Sequence, residues 1–133
     1  MADRDLSNYT VLVVDDEKNL CDLLAEEFED MGMRTLTAYG GREAYEIIQS
    51  EKVDVVVSDI KMPDGDGVEL LDKIRALDCR VPFVIMMTGY ADLTEEDLQA
   101  KGAARLYAKP VYIEKIVEDI YRLADQLESD SVA

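Results

Sequence analysis

Val53-Asp54-Val55-Val56-Val57-Ser58-Asp59-Ile60-Lys61-Met62-Pro63-Asp64-Gly65-Asp66-Gly67 joins an apolar run to an acidic, glycine-rich loop. Four valines in five positions predict a strand buried on both faces, because a strand with one wet face would alternate apolar with polar residues. The run stops at Asp59, and a Pro/Gly-rich loop follows. A carboxylate at the carboxyl end of a buried parallel strand lies where ligands bind in open α/β sheets. On strand-end position alone, a helix-capping or turn aspartate fits equally well. Asp64-Gly65-Asp66-Gly67 does not make a calcium loop: Pro63 intrudes, acids are missing at the required alternate positions, and no bidentate glutamate follows at the right distance.

Working outward, Val11-Leu12-Val13-Val14 is a second short apolar run and ends in three acids, Asp15-Asp16-Glu17. Leu20, Leu23, Leu24, Phe28 and Met31 recur at helical spacing, with Gly32 as the stop. Arg34-Thr35-Leu36-Thr37-Ala38 alternates and predicts a half-exposed edge strand. Gly40-Gly41 opens a helix with Ala44, Ile47 and Ile48 inside. Val68, Leu71, Ile74 and Leu77 mark a third helix, and Pro82 to Met87 a buried strand ending at Thr88-Gly89. Residues 92–101 predict a helix with few apolar anchors. Arg105 to Ala108 is a short last strand. The final helix carries Ile113, Ile116, Val117, Ile120, Ala124 and Leu127 on one stripe, with Glu118 and Arg122 as an exposed i,i+4 pair. Five strands alternating with five helices predict a doubly wound parallel sheet, helices on both faces, with right-handed crossovers.

Composition narrows the chemistry. At 133 residues, 48% apolar and 33% charged, the chain predicts one globular domain over residues 9–127, with a polar leader at 1–8 and a polar tail at 128–133. A net charge of −16 argues against nucleic acid or anionic membrane as a partner and favours metal cations and basic protein patches. There is no histidine, which removes imidazole triads and most transition-metal sites. Cys21 and Cys79 lack metal-ligand spacing and read as reduced, inert thiols of a cytoplasmic protein. The N-terminal residues have nothing like a signal sequence, and no apolar run reaches membrane-spanning length.

If the first and third strands are neighbours, Asp15, Asp16 and Asp59 converge at one end of the sheet. Three like charges so close would repel or take up protons, and a hard divalent cation with oxygen ligands, Mg²⁺, relieves them. Two further strand ends add the Thr88 hydroxyl and the Lys109 charge. Carboxylates, hydroxyl, lysine and metal form a phosphoryl-binding set in which an aspartate can be the nucleophile. Singly, each piece has a plainer reading: Asp15 and Asp16 as acids at a helix N-terminus, Thr88 as a turn residue, Lys109 as a solvated lysine.

From about Thr10 to Leu127 the chain resembles a receiver domain of bacterial two-component response regulators. The matching pieces are Val11-Leu12-Val13-Val14-Asp15-Asp16-Glu17, Ser58-Asp59-Ile60-Lys61-Met62-Pro63-Asp64-Gly65-Asp66-Gly67, Met86-Met87-Thr88-Gly89, Lys101-Gly102-Ala103 and Lys109-Pro110. The resemblance implies a flavodoxin-like three-layer sandwich with strand order 2-1-3-4-5. It implies a switch that assists its own phosphorylation and dephosphorylation, not a turnover enzyme. Asp59 would take a phosphoryl group from a sensor histidine kinase. Asp16, Asp59 and the Lys61 backbone carbonyl would bind Mg²⁺, with Asp15 acting mainly through water. Thr88 and Lys109 would each hold a phosphoryl oxygen, and the Lys109–Pro110 peptide would be cis. Lys61 and Tyr90, two positions beyond Asp59 and Thr88, are expected to screen the attacking water. The last two strands and helices would form the partner or homodimer surface.

One departure stands out. The family commonly places Tyr or Phe three residues before the lysine, and here that residue is Leu106; Tyr107 falls on the opposite strand face. Two other readings compete: a phosphohydrolase of the haloacid-dehalogenase type, which also uses an aspartyl-phosphate, and a degenerate receiver that signals by contact alone. The first usually shows Asp-x-Asp and a cap domain, whereas this chain has adjacent acids. The second usually lacks one of the site residues, all of which are present here. The polar tail resembles the start of an interdomain linker, and a stand-alone receiver fits as well.

Overall fold

The computed structural model describes residues 6–63, 66–78, 82–89 and 94–132, with side chains described as far as residue 126. Five strands, β1 (Thr10–Val14), β2 (Arg34–Ala38), β3 (Val55–Asp59), β4 (Phe83–Thr88) and β5 (Arg105–Ala108), alternate with five helices. These are α1 (Lys18–Asp30), α2 (Gly41–Ser50), α3 (Gly67–Leu77), α4 (Glu95–Ala100) and α5 (Ile113–Val132). All four strand pairings are parallel, in the order β2-β1-β3-β4-β5. β1 and β3 are therefore neighbours, with Val11 registered on Val55 and Val14 on Ser58.

The valine runs are buried on both faces because each face meets a helical layer. Val11, Val13, Val55, Val57, Ile85 and Met87 pack with α1 and α5. Leu12, Val14, Val56, Val84 and Met86 pack with Ala44 of α2, Leu70, Leu71 and Ile74 of α3, and Leu98 of α4. Burying each such aliphatic side chain contributes about 1.5–3 kcal/mol, so the continuous apolar runs specify central strands. β2 lies at an edge, with its four leading residues partly or fully exposed, as its alternation predicts.

Several packing expectations are corrected. Leu23 and Met31 of the α1 stripe are 53% and 43% exposed, and Cys21 and Ala25 are buried instead. Leu77 is likewise exposed at the end of α3, and Leu70 takes a core position. Leu6, within the leader, is buried against the α1/α5 layer. Residues 128–132 continue α5 as helix. Arg122 pairs with the buried Asp119, three residues away, and not with Glu118. Cys79, Asp64, Gly65, Tyr90 and residues 91–93 lie outside the described residues. No helix among the described residues is long and apolar enough to cross a membrane.

Candidate functional site

Parallel strands present all their carboxyl ends at one edge, so β1 delivers Asp15 and Asp16 beside the Asp59 that β3 delivers. One carboxylate oxygen from each of these three acids lies within 4.8 Å of the others. Asp15 has no solvent exposure and Asp59 is 7% exposed, while Asp16 faces solvent. Lys109 Nζ stands between the two buried acids, 3.0 Å from Asp59 Oδ2 and 3.2 Å from Asp15 Oδ2. The backbone carries Lys109 there: β5 ends at Ala108, the Lys109 amide donates to the Thr88 carbonyl at 2.8 Å, and the Lys109–Pro110 peptide is cis.

Burial raises the pKa of Asp59 above the ordinary carboxylate value. The hydrogen bond and charge of Lys109 pull it back, and the neighbouring Asp15 adds to the rise. Burial acts against the charge of Lys109 too, but its two carboxylate partners outweigh that and its pKa is raised. Three acids facing one lysine leave an excess negative charge in a largely desolvated pocket. Oxygen donors carrying such an excess suit a hard divalent cation, so the residues present fit Mg²⁺.

Asp15 serves two neighbours at once. Its Oδ1 accepts the Glu17 amide at 3.0 Å, serving the entry to α1, while its Oδ2 accepts from Lys109. Thr88 closes β4, buried, one residue beyond Met87, which is registered on Asp59. Lys61 is exposed and lines an open depression with Met62, Pro63 and Asp66. Asp66 is the N-cap of α3, its Oδ1 accepting the Glu69 amide at 2.8 Å, a role consistent with its exclusion from a calcium loop.

Two supporting residues carry no role in the sequence reading. Gly67 donates its amide to the Ile60 carbonyl at 2.7 Å, and a Cβ there would collide with the Asp59 carbonyl oxygen and lie 2.6 Å from Met86 Cε. Only glycine lets α3 start so close to the end of β3. The glycine-rich loop was the available signal, but it does not tell close approach from turn geometry. Ser58, fully buried, donates its hydroxyl to the Asp59 carbonyl at 2.9 Å. At the position noted for its departure, Leu106 packs with the α2/α3/α4 layer and Tyr107 with the α1/α5 layer. Tyr107 therefore does not replace the missing inward ring.

A family model described as the response regulator receiver domain matches residues 11–121. The chain is 35% identical over 112 residues to sporulation initiation phosphotransferase F of Bacillus subtilis, covering 84% of this chain and 90% of that protein. It is 36% identical over 120 residues to regulatory protein AtoC of Escherichia coli, covering 90% of this chain but 26% of that much longer relative. Among solved structures it resembles response regulator protein TrrA from Thermotoga maritima in complex with Mg²⁺-BeF, at 32% identity and a TM-score of 0.77. That match covers 86% of this chain and 98% of the other.

Proposed function

The chain belongs to the response regulator receiver family, whose domains are phosphorylated on an aspartate in two-component signalling and bind Mg²⁺ at an acidic pocket, and on that premise we propose that Asp59 is its phosphoacceptor. The observation that carries this reading is the pairing of Asp59 with Lys109 inside the three-acid cluster. Asp59 sits at a strand end, its side chain partly reachable, and its charge is balanced by a lysine that can follow a new negative charge.

In the reaction, an Asp59 carboxylate oxygen attacks the phosphorus of a phosphohistidine on a sensor histidine kinase. The P–O bond forms as the P–N bond breaks, and the imidazole nitrogen leaves with its electron pair. Asp16, Asp59 and the Lys61 backbone carbonyl would hold Mg²⁺, with Asp15 reaching it mainly through water. When bound, the ion offsets the acidic charge that would otherwise repel an incoming phosphoryl group. Lys109 exchanges its carboxylate partner for a phosphoryl oxygen, and the Thr88 hydroxyl donates to another. Lys61 limits the approach of water and so prolongs the phosphorylated state. The domain is a cytoplasmic switch that assists its own phosphorylation and dephosphorylation. Its partner or homodimer surface is the α4, β5 and α5 side, and the chain itself binds neither nucleic acid nor membrane.

Incubation with acetyl phosphate and Mg²⁺ should add one phosphoryl group, seen by intact mass, and Asp59→Asn should abolish it. Full labelling of that variant would remove Asp59 from the role. Continuous turnover of a generic phosphate ester would favour the phosphohydrolase reading instead.

A further inference from the structure

β5 is an edge strand, and a single guanidinium ties it to the helices on either side. Arg105 Nε donates to Glu95 Oε2 at 3.1 Å, and its Nη1 lies 3.5 Å from Asp119 Oδ1. Glu95 is the first residue of α4, and Asp119 lies in α5. The same Glu95 oxygen accepts the Leu106 amide at 3.0 Å, so one carboxylate grips both the side chain of residue 105 and the backbone of residue 106. Asp119 is 3% exposed and also accepts from the Tyr107 hydroxyl and from Arg122. The Arg105 guanidinium stands 5.6 Å from the centre of the Tyr107 ring.

The two ends of this chain of contacts differ in kind. The Glu95–Arg105 pair is partly exposed on both sides, so water can replace either partner at little cost. Asp119 is buried and must keep its donors. α4 is six residues long and Leu98 is its buried residue, so the helix with the fewest buried residues is held by the contact that breaks most easily. A shift of α4 withdraws Glu95 from Arg105 and from the Leu106 amide together. The freed guanidinium then has Asp119 as its nearest acid, where it competes with the Tyr107 hydroxyl.

We propose that Glu95, Arg105 and Asp119 form a relay that carries displacement of α4 to Tyr107 and α5, in place of a ring turning inward at position 106. The relay rests on Asp59 being the phosphoacceptor for its trigger, but not for its wiring. Arg105 serves as a shared ligand of two acids, and the position of α4 sets which acid holds it.

The test uses the full chain labelled with 3-fluorotyrosine, with the Tyr107 ¹⁹F resonance assigned through Tyr107→Phe. Glu95→Gln keeps an acceptor for the Leu106 amide but removes the charge that holds Arg105. In the unliganded protein this variant should move the Tyr107 resonance in the direction that beryllofluoride with Mg²⁺ moves it in the parent. Adding beryllofluoride to the variant should then produce only a small further shift. Glu51→Gln, which discharges the comparable exposed Arg34–Glu51 pair on the opposite edge strand, should leave Tyr107 unmoved. An unchanged Tyr107 resonance in free Glu95→Gln, or a full beryllofluoride response in it, overturns the relay. If beryllofluoride changes nothing in the parent, the Asp59 assignment fails instead, and the shift in the free protein alone decides the relay.

Discussion

Replacing Lys109 with methionine tests the electrostatics of the site without touching its carboxylates. In the parent, Nζ lies 3.0 and 3.2 Å from two acids, one of them wholly buried, and the lysine side chain is itself mostly covered. Removing one partner of a buried ion pair costs about 3–5 kcal/mol, because the other charge is left uncompensated. Asp59 retains some access to water, so the lower end applies, about 3 kcal/mol, or a fall in Tm of roughly 10 °C for a domain of this size. The assay is urea denaturation at neutral pH in EDTA, followed by circular dichroism. Part of the loss should be recovered in Asp59→Asn/Lys109→Met, which removes the repelling acid, and millimolar Mg²⁺ should stabilise Lys109→Met more than the parent.

The pH dependence has a definite sign. Asp59 has a folded pKa above its ordinary 3.8, so over that interval the folded protein holds more protons than the unfolded chain, and stability falls as pH rises through it. The Lys109 pKa is raised above 10.5, so its contribution is complete below that value and is lost only as pH rises through the folded pKa. Lys109→Met removes what pulls the Asp59 pKa down, so its stability deficit should narrow as pH falls from 7 towards 5. A loss under about 0.5 kcal/mol, typical of a surface pair, or a deficit that does not change with pH, would refute this account of the pocket.

Gly67→Ala should destabilise by about 3 kcal/mol, the upper part of the overpacking range, because the Asp59 backbone carbonyl cannot yield as the Met86 methyl can. It should also slow acetyl phosphate labelling; unchanged stability would show that α3 has room to shift. Asp54→Ala removes the buried carboxylate that accepts the Thr10 amide at 2.8 Å, at the end of the sheet away from the site. A loss of about 1–3 kcal/mol in urea titrations, with unaltered labelling kinetics, is expected. Cys21 is free and buried, its thiol bonded to the Val13 carbonyl at 3.4 Å and its pKa pushed up to about 11 chiefly by burial. In Cys79→Ser, which leaves it as the one thiol, it should react with a thiol reagent at pH 8 only on unfolding, and rapid native labelling would contradict the packing of α1 on β1.

Local signals carried much of this protein. The valine runs declare central strands because only a doubly covered strand tolerates unbroken apolar residues, and the acids that end those runs come together at one edge of the sheet. The stripe of α5 is legible for a similar reason: Ile113, Ile116, Val117, Ile120 and Ala124 are all buried, as their spacing requires. In α1 hydrophobic spacing misplaces the buried face: Leu23 is exposed and Cys21 is buried. Leu23 and Cys21 lie on different sides of the helix, and hydrophobicity favours the leucine, yet the surface of β1 receives the smaller thiol. The charged residues were harder still. Nothing local separates Asp119, buried beneath Tyr107 and two arginines, from the exposed Glu118 beside it, so spacing alone pairs Arg122 with Glu118 where the fold pairs it with Asp119. The closeness of Asp15, Asp59 and Lys109, which are 44, 50 and 94 positions apart pairwise, follows from the order β2-β1-β3-β4-β5. A strand's own residues record that it will be covered on two faces. Which strand lies beside it depends on crossovers and helix packing summed over the whole chain, and only the tertiary structure performs that sum.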